Sequence, residues 1–196
     1  RDVLGSRGLG DVYKRQLMYY YGSQNKPFVY RCINRLDRDT TGLTIVAKHA
    51  LAGGILGNAV AKRAIHRTYY AVCSGCTPAC MRISAPIARK DASTIERCVD
   101  FKRGENAVTD FIRIKYNPDN NLSLVKLRLL TGRTHQIRVH MKYIGFPLIG
   151  DFLYNPDYTY ISRQALHSGR LVFTHPVTGQ KMNLISDIPS DMKSLF

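Results

Sequence analysis

Along the second half of the chain apolar and polar positions alternate with a period of two. Val125, Leu127 and Leu129 alternate with Lys126 and Arg128, which predicts a strand with one packed face and one wet, basic face. The turn residues Pro118-Asp119-Asn120-Asn121 stand immediately before it. Further strands are predicted at 66–73, around Tyr69, Tyr70 and Val72, and at 95–99 and 108–114 with a hairpin loop at 101–106 between them. Residues 166–173 and 181–184 supply the last strands, joined through Pro176-Val177-Thr178-Gly179. Phe28-Val29-Tyr30 reads as a short strand, and the β-branched run Leu43-Thr44-Ile45-Val46-Ala47 as a short buried one.

The helical period is rarer. Ala52, Ile55, Leu56, Ala59 and Val60 fall on one face of a helix over 50–63, interrupted by Gly53, Gly54 and Gly57. Ile137, Met141 and Ile144 mark a second helix that begins after Thr131-Gly132-Arg133-Thr134 and ends at Gly145-Phe146-Pro147. Residues 17–21 close a third, with Gly22 as its stop. Strands outnumber helices and mostly follow one another through hairpins. The fold class is therefore α+β, a mixed and mostly antiparallel β-sheet with flanking helices. No internal repeat or linker is visible, and 196 residues suffice for a single domain with its own core. Residues 1–16 stand apart. They have no sustained period and carry three glycines, so they are expected to be a non-native or disordered end, with the domain proper at 17–196.

Charge changes the picture. Twenty-nine Lys and Arg against fourteen Asp and Glu leave a formal net charge of +15 and a pI near 9.8. Basic residues recur along the whole chain, which points to a partner rich in phosphate. No apolar run reaches 18 residues and no signal-like core opens the chain, so a cytoplasmic location without membrane contact is expected. Cys73, Cys76 and Cys80 are spaced C-x2-C-x3-C without a fourth ligand close behind, so they are expected as reduced thiols and not as a zinc site.

Two stretches carry candidate chemistry. In Asn34-Arg35-Leu36-Asp37-Arg38-Asp39-Thr40-Thr41-Gly42-Leu43, two carboxylates sit among Arg31, Arg35 and Arg38, immediately before an apolar run. A carboxylate held ionised in such a loop can act as a nucleophile, or it can be an ordinary solvated surface group. In Thr131-Gly132-Arg133-Thr134-His135-Gln136-Ile137-Arg138-Val139-His140, a basic helix start offers amides and cations to an anion. His135 and His140 are about 140° apart around a helix and make poor metal co-ligands. No nucleophile elbow, P-loop or dinucleotide glycine fingerprint occurs.

These two motifs, with Gly150-Asp151 and Tyr154, resemble the RNA pseudouridine synthases of the RluA type, which modify ribosomal and transfer RNA. His66-Arg67-Thr68-Tyr69, Pro86-Ile87-Ala88-Arg89, Gln164-Ala165-Leu166-His167 and Thr174-His175-Pro176 add to the resemblance in the same order, from about Leu17 almost to the C-terminus. It implies the pseudouridine synthase catalytic domain, with Asp37 as the catalytic aspartate and Arg133 as the arginine paired with it. Tyr69 would be the aromatic against the flipped base. Arg35 would help displace the target uridine, and Leu166 would line the pocket. Arg138 and His135 are placed on the substrate side.

The resemblance further implies isomerisation of uridine in rRNA or tRNA, by a monomer with no cofactor, metal or nucleotide. Asn34 stands where many members have His, and Thr41 where many have Ser. Family members carry a further strand before the helix near Leu17, and residues 1–16 do not resemble it, so the domain is expected to lack its first strand. The competing readings are a non-catalytic RNA-binding module and a fragment inactivated by truncation. A nuclease is disfavoured because no second acid-rich cluster suggests paired magnesium ions.

Overall fold

The computed structural model describes residues 9–196, with side chains from residue 14 onward. In chain order the elements are α1 (Leu9–Gly22), β1 (Arg31–Cys32), β2 (Thr41–Gly42), β3 (Val46–Ala47), α2 (Ala50–Ala61), β4 (His66–Ser74), β5 (Cys80–Ser84), β6 (Ile87–Arg89) and β7 (Arg97–Val99). Then follow β8 (Val108–Asn117), β9 (Leu122–Leu129), α3 (Gln136–Tyr143), β10 (Leu166–Thr174), β11 (Lys181–Ile185) and α4 (Ser190–Lys193).

The alternating stretch around Val125 becomes the middle of the main sheet. β9 pairs antiparallel with β8 across the 118–121 turn and with β4 on its other side. The order β11-β10-β4-β9-β8-β5 is antiparallel throughout, and β2 joins β10 in parallel at Thr41 and Gly42. The sheet is thus mixed and mostly antiparallel, with helices beside it, as expected from the sequence.

One face is covered by α3 and the other only toward its Val72 and Leu122 end, with Ile112 and Arg128 exposed. Tyr69, Ala71, Cys73, Phe111, Val125, Leu127 and Leu166 present one face to Ile137 and Met141 of α3. Val72 and Leu122 on the opposite face pack with Ile149, Ile161 and Met192 of α4. The helix α2 buries Ala52 and Leu56 against Ile45, Leu171 and Phe173, so its glycines are outweighed by packing.

Several predicted elements shift. The helix expected at 17–21 already runs from Leu9, so residues 9–16 are helical; the part of the expected loose end at 1–8 lies outside the described residues. Met18, Tyr19 and Tyr20 of this helix stay exposed. No strand forms at 28–30, and only Val46 and Ala47 of the 43–47 run are ladder-paired, with β1. The run is divided between partners: Leu43 N–H donates to Ser168 O in β10, continuing the parallel contact of β2, and Ile45 N–H is taken by Asn34 Oδ1, so no single strand forms. The expected hairpin through 101–106 is also absent. β7 pairs back with β6 in a separate two-stranded ribbon, while β8 pairs with β5 and β9.

Candidate active site

The loop from Ile33 to Thr44 is short of regular structure and rich in anchors. Asn34 is buried; its Oδ1 accepts from Ile45 N–H at 2.8 Å and its carbonyl from Thr44 Oγ1 at 2.6 Å. A turn closes at Thr40 N–H→Asp37 O (3.1 Å), with Asp39 at φ 68°. The far side of the loop rests on β10. Gln164 Nε2 donates to Thr40 Oγ1, and Thr41 Oγ1 meets His167 Nδ1 at 2.9 Å. Gly42, at φ 104°, lies so close to this strand that a Cβ would fall 2.3 Å from Ser168 O. Arg163 braces the same junction, held by both oxygens of Asp191 at 2.8 and 2.9 Å.

Asp37, 27% exposed, faces the buried guanidinium of Arg138, with Nη1 to Oδ2 at 3.4 Å. Arg138 is itself fixed. Its Nε and Nη2 donate to the two oxygens of Asp151, both at 2.7 Å, and Asp151 also accepts from the amides of Leu153 and Tyr154. This is a two-bond fork between side chains that are 1% and 0% exposed. Burial works against the Arg138 charge, but the Asp151 hydrogen bonds and charge, with Asp37 behind them, raise its pKa above the ordinary arginine value.

The Tyr154 ring lies 4.9 Å from the Arg138 guanidinium and 5.5 Å from Lys142 Nζ. Its hydroxyl accepts from Arg97 N–H at 2.9 Å and meets His135 Nδ1 at 2.9 Å. Burial pushes the Tyr154 phenol up to about 12, so it keeps its proton, and burial also lowers the pKa of His135.

Tyr69 is buried, its phenol pushed up by burial, and close enough to Asp37 for the carboxylate to raise it further. It shares a cluster with Leu166, and Leu36 packs on that cluster from the loop. The structure therefore brings together Asp37, Arg138, Tyr69, Leu166 and His135. It does not bring Arg133 to Asp37. Arg133 turns outward to pair with Glu105 and donates to Asn106 O at 3.1 Å, so the expected Arg133–Asp37 pair is corrected to Arg138–Asp37.

The cause is the start of α3. Gln136 Oε1 accepts from Thr131 Oγ1 and Arg133 N–H, while its Nε2 donates to Val108 O and Thr109 Oγ1. That clamp holds the 131–134 loop against β8, with Arg133 on the outer side. It also occupies an amide that the sequence had left open for an anion.

The loop arginines do not surround Asp37 either. Arg38 pairs with Asp39, Arg31 donates to Val29 O, and Arg35 is exposed with no ion pair among the described residues. His140 is structural: it is buried between Thr109 Oγ1 and Ala85 O, each at 2.9 Å. Cys73 is fully buried in β4 whereas Cys76 and Cys80 are exposed, and among the described residues no group of three His, Cys, Asp or Glu is placed to hold a metal ion. No described helix is long and apolar enough to cross a membrane.

Phe152 was missed from the sequence. Its ring lies 4.6 Å from the Arg38 guanidinium and 5.3 Å from that of Arg138, and its position beside Asp151 was the available signal.

A loop carboxylate facing a buried, locked arginine lies in a basic, mostly antiparallel domain. The family model for RNA pseudouridylate synthase matches residues 6–143, and the chain belongs to that family. The match begins eleven residues before Leu17, where the sequence resemblance had started.

Among its relatives is the uncharacterized RNA pseudouridine synthase YjbO of Bacillus subtilis (strain 168), 47% identical over 84% of this chain and 57% of its own length. Another is the ribosomal large subunit pseudouridine synthase D of Zymomonas mobilis subsp. mobilis, 37% identical over 84% of this chain and 54% of its own length. The chain thus spans a little over half the length of these curated relatives. The solved structure of human RNA pseudouridylate synthase domain containing 1 superposes with a TM-score of 0.77 at 25% identity, covering 89% of this chain and 73% of that one.

Proposed function

We propose that this protein isomerises uridine to pseudouridine within RNA, with Asp37 as the catalytic carboxylate. The observation that carries the reading is the Asp37–Arg138–Asp151 line: a partly open carboxylate held at 3.4 Å from an arginine that the fold has already locked in place. A protein that only bound RNA would gain nothing from a fixed acid facing phosphates, which repels them.

The reaction breaks the N1–C1′ bond, turns the uracil, forms a C5–C1′ bond and expels the C5 hydrogen as a proton, while N1 takes up a proton in its place. No atom is gained or lost. Asp37 serves it by adding to the sugar or base, or by removing a sugar proton; each role needs an ionised oxygen of fixed direction. Arg138 supplies the direction. Arg138 and Tyr154 lie behind the carboxylate, and Tyr69, Leu36 and Leu166 provide apolar surface beside it. A target base must leave its stack to reach such a site, at a cost of a few kcal/mol that stacking on Tyr69 offsets in part. Arg35, exposed on the same loop, would occupy the space the base vacates, and the His135 imidazole would face the substrate.

Relatives named ribosomal large subunit pseudouridine synthase D favour ribosomal RNA as substrate. The test is to incubate the protein with unmodified ribosomal and transfer RNA, beside Asp37→Asn, and map pseudouridine. New pseudouridine with the wild type alone is expected; equal yield from the variant refutes the role of Asp37.

A further inference from the structure

We infer that the cleft between the β6–β7 ribbon and the 131–134 loop binds a backbone phosphate of the RNA strand flanking the uridine that faces Asp37. This rests on the proposed function and adds a subsite to it.

The cleft has a volume of about 510 Å³, and four arginines line it: Arg89, Arg97, Arg103 and Arg133. That is the size of an ordinary small-molecule site, ample for a phosphodiester with its ribose. Two of the four are matched within the protein. Arg133 pairs with Glu105, which also lines the cleft and would repel an anion, and Arg103 pairs with Asp100 at 2.7 Å.

Arg89 and Arg97 are different. They are register partners across the antiparallel ribbon, so their side chains leave the same face, and like charges directly opposite on a ladder destabilise it. Neither has a carboxylate partner among the described residues. Arg89 donates to Ala92 O, and Arg97 to the carbonyls of Ile95 and Glu96. Glu96 could have relieved the repulsion, but it pairs with Lys90 at 2.9 Å instead. On the same ribbon face, Ile87 is buried and Val99 packs against it. The face therefore points inward, and the arginine pair sits at its open end. A dianionic or monoanionic group bridging the two guanidiniums would remove the repulsion and accept from their free N–H groups.

The position ties the cleft to the chemistry. Arg97 N–H donates to the Tyr154 hydroxyl, whose ring lies against Arg138, which faces Asp37. A strand with one phosphate in this cleft is held one chain of contacts from the reacting carboxylate.

The test compares wild type, Arg89→Gln/Arg97→Gln and a control pair, Lys62→Gln/Lys181→Gln, two exposed lysines on the α2–β11 side of the molecule. Affinity for unmodified ribosomal RNA is measured across a salt titration, with and without inorganic phosphate at constant ionic strength. The arginine pair should weaken binding on the order of tenfold near 0.1 M salt and lower the log–log salt slope by about 1 for the lost contact. The control should change little, and Arg89→Lys/Arg97→Lys should keep most of the affinity. Inorganic phosphate should compete in wild type and not in the Gln pair. Melting of the free Gln pair should match or exceed wild type, since repulsion is removed, which excludes misfolding.

Equal losses in both Gln pairs, or no loss in either, overturn the subsite. Phosphate competition without any change in RNA affinity identifies a site for free anions and overturns it too. If no version yields pseudouridine, the proposed function fails while the affinity comparison still decides the cleft. If the wild type isomerises and the arginine pair behaves like the control, only the cleft fails.

Discussion

Replacing Arg138 by methionine removes the guanidinium that joins Asp37 to Asp151 while keeping most of the side chain's length. Two effects follow. Asp151, fully buried, loses both charged bonds, and removing one member of a buried pair costs about 3–5 kcal/mol of stability. Separately, Asp37 loses its 3.4 Å neighbour. At that distance the Coulomb energy is about 5 kcal/mol at an effective dielectric of 20 and about 1 kcal/mol at that of water; Asp37, partly exposed, lies between these limits. At about 1.4 kcal/mol per factor of ten, loss of that orientation should slow the chemical step by roughly tenfold to a thousandfold.

The stability effect is separated by a second change. In Arg138→Met/Asp151→Asn the buried charge is gone, while the amide oxygen can still accept from the Leu153 and Tyr154 N–H groups. The double variant should regain most of the melting temperature and none of the rate. Since the new bond forms at C5, tritium release from RNA labelled at uridine C5 reads the chemistry under single-turnover conditions. Arg133→Met is the counterpart. Its ion pair is exposed, worth about 1 kcal/mol or less, and the variant should keep its single-turnover rate at saturating RNA. If Arg133→Met is dead and the Arg138 double variant turns over like wild type, the assignment of Arg138 is wrong.

Asp37→Asn should abolish tritium release while RNA affinity is kept or tightened; measurable turnover by the pure variant sinks the carboxylate role. Gly42→Ala puts a Cβ into the Ser168 carbonyl at a positive φ, and should cost at least about 1–3 kcal/mol and displace the Asp37 loop, seen as lower melting and lost rate together. Burial lowers the pKa of His135, His140 and His167, so the unfolded chain takes up protons below the ordinary value of 6.5 that the folded chain refuses. Stability should be level above that pH and fall as it drops, by up to about 1.4 kcal/mol per pH unit for His140 alone. An acid limb unchanged in a folded His140→Gln variant contradicts that assignment.

The sequence made the sheet legible where one physical rule was enough. The alternation around Val125 and Leu127, with a strong turn before it, could only be a half-buried hairpin strand, and the structure has it in the middle of the sheet. It failed where tertiary contacts take over the backbone. The 43–47 run is split because Leu43 N–H joins β10 at Ser168, far away in sequence, whereas Ile45 N–H is taken by the Asn34 side chain. The β6–β7 ribbon was half legible: β7 lies within the strand expected at 95–99, but β6, three residues long, carries too little period to read, and its pairing with β7 bypasses the apparent hairpin loop.

At the site, sequence motifs identified the cluster but not its geometry. Arg133 and Arg138 stand five residues apart in one motif, and only the Gln136 clamp decides which one turns inward. A clue existed in α3. Ile137, Val139 and Met141 are all apolar and all buried, so the helix has apolar positions on more than one face, and an arginine among them was bound to need an internal carboxylate. Asp151 is that carboxylate.

The distribution of matched and unmatched charge then follows the work of the site. In a chain of net charge +15, the acids Asp37 and Asp151 both face one buried arginine, which offsets one of their two charges, so the group keeps a single negative charge within the surrounding positive field. Around them Arg38, Arg103 and Arg133 are paired to carboxylates at the surface, whereas Arg35, Arg89 and Arg97 have none among the described residues. The last two stand opposed across a ribbon whose flanking residues, Lys90 and Glu96, are paired with each other. Unpaired cations near a fixed, ionised carboxylate suit the polyanionic substrate of the proposed function: attraction along its backbone, and one anionic oxygen whose direction is set by a locked arginine.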